Sequence, residues 1–498
     1  AVGGEITSQA LNDWFSYLDS KRPEVIYENI TVTVGNNGDY HTISQALEYF
    51  SDKRPLFLNG GLKLQIKLTD GFVLKNQVVI RDIDLSFVEI TSDSVVAVDL
   101  TSGITADMGT THIKQVMPLF YGVNAKMPVI NAKFKHVANP KNNIICGMIL
   151  DHSNVLIKPN GGFTYFPYIG LGLFNGSNAV ANQCEFDENG NIDTIDEQNP
   201  KESGYGIGVV TYRNSSFSGN SSTANRCGAL GFMFFRGAFG SINESQANGC
   251  GHHNLIVNGG SVCSARASKF NNALDDNVTV LAGSMASLQG SECSGAVLHY
   301  GLISGESSQV DFYKGKANNN GGHGIRARYF GYINAQEAEA INNGGSGVIS
   351  TTGSKINFLG GLTEGNASHG LSAAGASIIA EDSTVRNNTL DNIHASRGSF
   401  INAWNSEISG SAALGVNSSA SEVNISKCSI TGNQQNVEVK NGSFLRAFDT
   451  SFSGGSGPEI TSNNGTYVLA PSTTATTNHQ INTVNDHGIV IGNNLTYS

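Results

Sequence analysis

The stretch "GGHGIRARYFGYINAQEAEAINNGG" (321–345) is followed by "SGVISTTGSKINFLGGLTEGNAS" (346–368) and "HGLSAAGASIIAEDSTVRNNTL" (369–390). The three share one plan: a Gly meets an aliphatic residue, a short alternating run follows, and a second run starts after a Gly/Ser-type turn. Followed in both directions, the plan aligns Ile207, Phe232, Leu255, Val278, Leu302, Ile325, Val348, Leu371, Ile393, Val416 and Val437, spaced by 25, 23, 23, 24, 23, 23, 23, 22, 23 and 21 residues. Two residues later runs a second column, Val209, Phe234, Val257, Val280, Ser304, Ala327, Ser350, Ala373, Ala395, Ser418 and Val439, apolar or small throughout. Mostly polar residues between the columns give the period-2 alternation of a strand with one buried face.

A second strand recurs as "SKINFLGG", "ASIIAED", "SFINAWN", "SEVNISK" and "SFLRAFD", and a third carries Val385, Ile408 or Ile430 before an Asn-rich bend. Three short strands per unit of roughly 23 residues describe an all-β chain wound as a right-handed parallel β-helix. Helical repeats do not fit, because Gly and β-branched residues interrupt every unit. The Asn pairs 319–320, 342–343 and 387–388 read as a stacked ladder that bonds turn backbone. Cys227 and Cys250, one unit apart, are expected to stack within reach of a disulfide but to remain two small buried thiols.

The regular coils are expected over 205–460, preceded by irregular coils with inserted loops over 61–204. Residues 1–60 form an N-terminal cap in this reading, with short amphipathic helices in "TSQALNDWFSYLDSKRP" (7–23) and "TISQALEYFSDKRP" (42–55). The tail, 461–498, suits a β-rich C-terminal cap or an oligomer clasp. The net charge of -11 argues against nucleic acid as a partner. No apolar run reaches the length of a membrane span. Seven scattered cysteines, with no CxxC, favour reduced thiols and assembly in a cytoplasm and give no zinc spacing, so neither metal nor cofactor is expected. The start at Ala1, without an initiator Met or signal-peptide core, reads as the edge of a longer protein.

"VTVGNNGDYHTISQALEYF" (32–50), with later coils of the "GHGI", "SHGL" and "NNGGSGV" type, resembles the pectate-lyase-like tailspikes of bacteriophages. In those proteins a Gly-Asp turn leads into a helix that plugs the solenoid. The resemblance implies a homotrimer on the virion, joined to the phage baseplate or tail through an upstream segment. It implies binding and cleavage of the acidic capsular polysaccharide of a Gram-negative host. It transfers no catalytic residue, so the site has to come from this chain.

Coils stack about 4.8 Å apart, so each outward column becomes a stripe. Two positions before the aligned aliphatics the stripe reads His253, Asp276, Tyr300, His323, Ser346, His369 and Asp391, where a scaffold would place Ser, Asn or Gly. His253, Tyr300, His323, Arg326 and Asp276 are the candidate catalytic residues, since imidazoles titrate near neutrality. Arg328, Tyr329, Tyr313, Lys314, Asp311 and His369 are the candidate substrate contacts, tyrosines stacking on sugar rings and cations gripping acids. A His before Gly at a β-helix corner also has a purely structural use, bonding the next turn. Two chemistries stay open. A lyase would use His323 or His253 as base, Tyr300 as acid and Arg326 or Arg328 against the uronate carboxylate. A hydrolase would pair Asp276 with Asp311, Glu292 or Glu337; Asp275 and Asp276, expected to point apart along a strand, make a poor pair. The His, Tyr and Arg density tilts the reading towards the lyase. A binding-only spike, or a bacterial pectin-type enzyme with calcium-binding Asp clusters, is the remaining alternative.

Overall fold

The computed structural model describes residues 23–55, 62–109, 115–137, 144–190, 206–456, 459–475, 482–483 and 489–491. The expected helix over 7–23 and most of the inserted loop over 187–204 lie outside those residues. The rest winds as a parallel β-helix with three sheets. The first runs from Val78–Arg81 through Ile325–Ala327 to Asn482–Thr483. The second is a 15-stranded sheet from Asn154–Leu156 to Ile489–Ile491. The third is a 7-stranded sheet from Glu339–Ile341 to Thr474–Ala475, prolonged towards earlier coils by single bridges through Lys316, Glu292 and Lys269. Crossovers that return a strand to its own sheet in parallel take the right-handed sense.

The inner column of the first sheet is Val209, Phe232, Leu255, Val278, Leu302, Ile325, Val348, Leu371, Ile393, Val416 and Val437. All are buried. Here the sequence alignment slipped once: Phe232 pairs with Val209, not Ile207, so the apparent spacing of 25 is a true 23. A slip of two keeps a side chain on the same face, so polarity could not reveal it.

Each corner has its own device. Asn320 bonds Asn343, Asn343 bonds Asn366 and Asn366 bonds Asn388, each through backbone N–H and side-chain amide to the next Oδ1, at 2.9–3.1 Å. This is the expected ladder, extended through Asn366. It explains the recurring Gly as well: a Cβ at Gly324 would stand 2.7 Å from Asn343 Nδ2. The residue before that Gly is therefore held at a fixed corner, and in three coils it is a stripe residue, His323, Ser346 or His369. Ser222, Ser245, Ser268 and Ser291 form a second buried ladder.

All seven cysteines are buried free thiols, Cys227 and Cys250 among them. At the N-terminal end the helix Ile43–Ser51 closes the core with Ile43, Ala46, Leu47 and Phe50. Thr42 and Gln45 form a reciprocal capping box, and the Asp39 carboxylate takes the Thr33 N–H and hydroxyl at 2.8 Å. The following "KRP" is a short strand pairing with Glu24–Ile26, not the helix end expected over 42–55. At the other end, Ile460–Ser462, Tyr467–Leu469 and Thr474–Ala475 extend the three sheets in register, so the described part of 461–475 is one more coil, not a separate cap. Among the described residues no helix is long and apolar enough to cross a membrane.

The early coils are covered. Outward residues of the first sheet there (Ile149, Phe174, Val210, Tyr212, Met233) join Ala106, Met108 and Val116 in a second apolar cluster. The chain at Ala106–Asp107 pairs antiparallel with Gln115–Val116, and Arg213 Nη2 donates to the Gly109 carbonyl at 2.9 Å. Strands Ile169–Phe174 and Ile207–Tyr212 are consequently buried on both faces, whereas from Ile325–Ala327 onward most strands of this sheet alternate.

Candidate active site

Past coil 253 the stripe residues meet along the edge of the first sheet. Asp276 is 8% exposed. Its Oδ1 accepts the Tyr300 N–H at 3.1 Å and its Oδ2 the Thr279 hydroxyl at 3.1 Å. The His253 ring lies between two carboxylates, with Nδ1 3.8 Å from Asp276 and Nε2 4.0 Å from Asp275. Asp275 and Asp276 thus converge on one imidazole. The expectation that they point apart fails because they sit in a bend before the strand Val278–Val280, where alternation does not apply. Burial is the main cause that lifts the Asp276 carboxyl above the usual range, with the charge of Asp275 adding to it and His253 opposing it.

The next layer contains a residue the sequence reading passed over. His299 bonds the Asp275 carboxylate through Nδ1, and its side chain is 50% exposed. Its ring stacks on Tyr300 at 5.6 Å, and Tyr300 stacks on His323 at 5.3 Å and 11°. Arg326 donates from Nη1 to the Tyr300 hydroxyl and lies 4.7 Å from the ring centre. The signal for His299 was present: it precedes Tyr300 directly and follows Asp275 by 24 residues, one coil.

His323 has a settled role. Its Nδ1 accepts the Ser346 N–H at 2.8 Å, so the ring proton resides on Nε2. Burial first, then the Arg326 charge, pushes its pKa down to about 4. At neutral pH it is an uncharged donor, which removes it as the base. His369 likewise accepts the Asp391 N–H through Nδ1, at 3.2 Å.

Most of the expected substrate contacts stand elsewhere. Asp311 and Tyr332 belong to the second sheet, and Tyr313 and Lys314 turn the following corner, where both meet Glu337. Glu292 is on the third sheet, between Lys269 and Lys316. None of these joins the His–Tyr stripe, because each stands on another face of the coil, round a corner from the first sheet. Arg328 leaves the first-sheet strand and lies over Tyr329, which with Phe330 forms an exposed corner at positive φ. The unusual side chains of coil 321–345 are therefore divided: His323 and Arg326 serve the stripe, Tyr329 the corner and Tyr332 the second sheet.

The second sheet carries a broad groove of about 720 Å³, lined by Phe239, Val262, Met285 and Tyr332 with Arg266 and Asp311. It offers stacking surface and one carboxylate. The titratable constellation lies on the first sheet, and the chemistry is assigned there.

No family model matches the chain, and no curated protein matches it. Solved structures do. The A-module of mannuronan C-5 epimerase AlgE4 from Azotobacter vinelandii matches over 64% of this chain and 91% of its own, at 15% identity and a TM-score of 0.37. A variant of the periplasmic alginate epimerase AlgG matches over 89% of both chains at 11% identity and a TM-score of 0.33. The PL6 family alginate lyase AlyGC covers 90% of this chain and 85% of its own, at 8% identity and 0.25. Roles for side chains come from this chain's own geometry.

Proposed function

We propose that this chain depolymerises an acidic polysaccharide by β-elimination at the outer edge of the first sheet, where His299 is exposed. One observation carries the reading: a carboxylate-backed imidazole (Asp275–His299) stacks on a phenol (Tyr300) whose hydroxyl holds a guanidinium (Arg326). Those are the base, acid and carboxylate grip that elimination at a uronate needs.

Asp275 occupies Nδ1 of His299, leaving Nε2 to take the proton α to the sugar carboxylate, and the Asp charge steadies the imidazolium. The released electron pair forms the ring double bond as the β C–O bond breaks. Tyr300 gives its proton to the departing oxygen, since Arg326 occupies a lone pair of the hydroxyl and not its hydrogen. Arg326, which bonds the Tyr300 hydroxyl through Nη1, holds the carboxylate through its other terminal N–H groups as it becomes enolate-like. Neutral His323 clamps the phenol from the other side.

A hydrolase reading has less support, because Glu292, Asp311 and Glu337 stand on separate faces while Asp275 and Asp276 are committed to imidazoles. The setting proposed with this activity is a trimeric phage tailspike acting on host capsule. It rests on the opening motif, whose turn and capping helix fold as that resemblance implies. The test is digestion of a panel of acidic capsular polysaccharides, following ultraviolet absorbance of unsaturated uronate alongside new reducing ends. Both should rise together. Reducing ends without absorbance would replace elimination by hydrolysis, and binding with neither signal would leave an adhesin.

A further inference from the structure

We infer that His369, His394 and Asp391, on the stripe beyond the proposed catalytic residues, form a binding site for one divalent transition-metal ion of the zinc type. The mechanism above uses none of the three. His394 Nδ1 lies 2.9 Å and His369 Nδ1 3.5 Å from the same oxygen, Asp391 Oδ2. The imidazoles stack with centres 4.4 Å apart. A tetrahedral ion with bonds of about 2.1 Å keeps its donors about 3.4 Å apart, so the His369–Asp391 separation already has the required size, while the His394–Asp391 pair, now hydrogen-bonded, has to open by about 0.5 Å. Two imidazoles with one carboxylate suit zinc, cobalt or nickel; calcium and magnesium prefer oxygen shells.

The surroundings are those of a supported ligand set. Asp391 is 5% exposed. The Leu414 N–H holds its Oδ1 at 3.3 Å, and Asn417 Nδ2 holds its Oδ2 at 3.0 Å. His369 Nδ1 carries a lone pair, since it accepts the Asp391 N–H at 3.2 Å, and an ion would take the place of that hydrogen bond. Independently, Asn417 Oδ1 is a buried acceptor without a donor, and Asn417 stacks on His394 in the next coil. Water in the fourth position of a bound ion would supply that donor. The cysteine spacing gave no zinc site because this one uses histidines, brought together by the coil repeat: His369 to Asp391 is 22 residues. A bound ion would clip two neighbouring coils together.

The experiment is a titration of the chelator-treated full chain with Co²⁺ and Zn²⁺, followed by visible absorption and calorimetry. The expected result is one ion per chain giving the intense visible bands of low-coordinate cobalt, displaced by Zn²⁺, with Tm raised by several degrees at saturation. His394→Ala, at a half-exposed position, should lose the bands and the Tm rise while keeping the circular dichroism of the wild type. His369→Gln provides the same test if His394→Ala misfolds. Retention of the bands in both variants, or no cobalt spectrum in the wild type, would overturn the site.

Discussion

Coils 169–235 and coils 253–440 are built on the same inner column, and their difference lies in one outer column. Followed through the register, it reads Val210, Met233, Ile256, Thr279, Ile303, Arg326, Ile349, Ser372, His394, Asn417 and Glu438. Where the segment at 106–109 lies over the sheet, that column is apolar and buried. In the later coils the column mixes apolar Ile256, Ile303 and Ile349 with polar Thr279, Arg326, Ser372, His394, Asn417 and Glu438, and the chemistry-bearing side chains collect beside it. A solenoid separates its tasks in this way: the inner face satisfies the hydrophobic effect once per coil, and the outer face is free to differ.

The largest expected break of that comparison is catalytic. Tyr300→Phe should lower turnover on a cleaved polymer by about 10²- to 10⁴-fold, and His299→Ala comparably, with Tm unchanged. Steady-state kinetics beside thermal melts check both. On the covered side the effect should invert. Val210→Asp, which buries an unpaired charge, should cost more than about 3 kcal/mol of stability in urea unfolding, while Ser372→Ala in the same column stays within about 0.5 kcal/mol.

The pH dependence sharpens the picture. The folded His323 titrates near pH 4, below the unfolded 6.5, so between those values the unfolded chain binds more protons. Stability from keeping this ring neutral is intact above pH 6.5 and is lost as pH falls towards 4, by up to about 3 kcal/mol. Asp276, shifted upward from 3.8, acts in the opposite sense over part of that range. The quantity to measure is therefore the difference in unfolding free energy between wild type and His323→Gln, which should shrink as pH drops. A difference flat with pH would contradict the neutral, buried His323. Smallest of all, Lys314→Ala should leave turnover and the urea unfolding midpoint at their wild-type values, because Lys314 and Glu337 form an exposed ion pair at the far corner.

Much of this was legible beforehand. The period, the inner column, the Asn ladder and the capping helix follow from spacing, because each coil must place the same residue type at the same point. The stripe His253, Asp276, Tyr300, His323 was legible for the same reason. Register along a column is visible in sequence; position around the coil is not, since corners at Glu306–Ser307, Tyr329–Phe330 or Glu337 rest on one or two non-glycine residues at positive φ that carry no strong signature. That is why Asp311, Tyr313 and Lys314 were expected beside the stripe and lie on another face and its corner. His299 was missed because its partnership with Asp275 runs along a bend, where alternation gives no guidance.

The most direct test of the central claim compares two variants on one polymer that the wild type cleaves: Tyr300→Phe on the first sheet and Asp311→Asn on the second. The account predicts that the first abolishes formation of unsaturated uronate and the second leaves it within a few-fold of wild type. Activity retained in Tyr300→Phe and lost in Asp311→Asn would contradict it and move the catalytic groove to the second sheet.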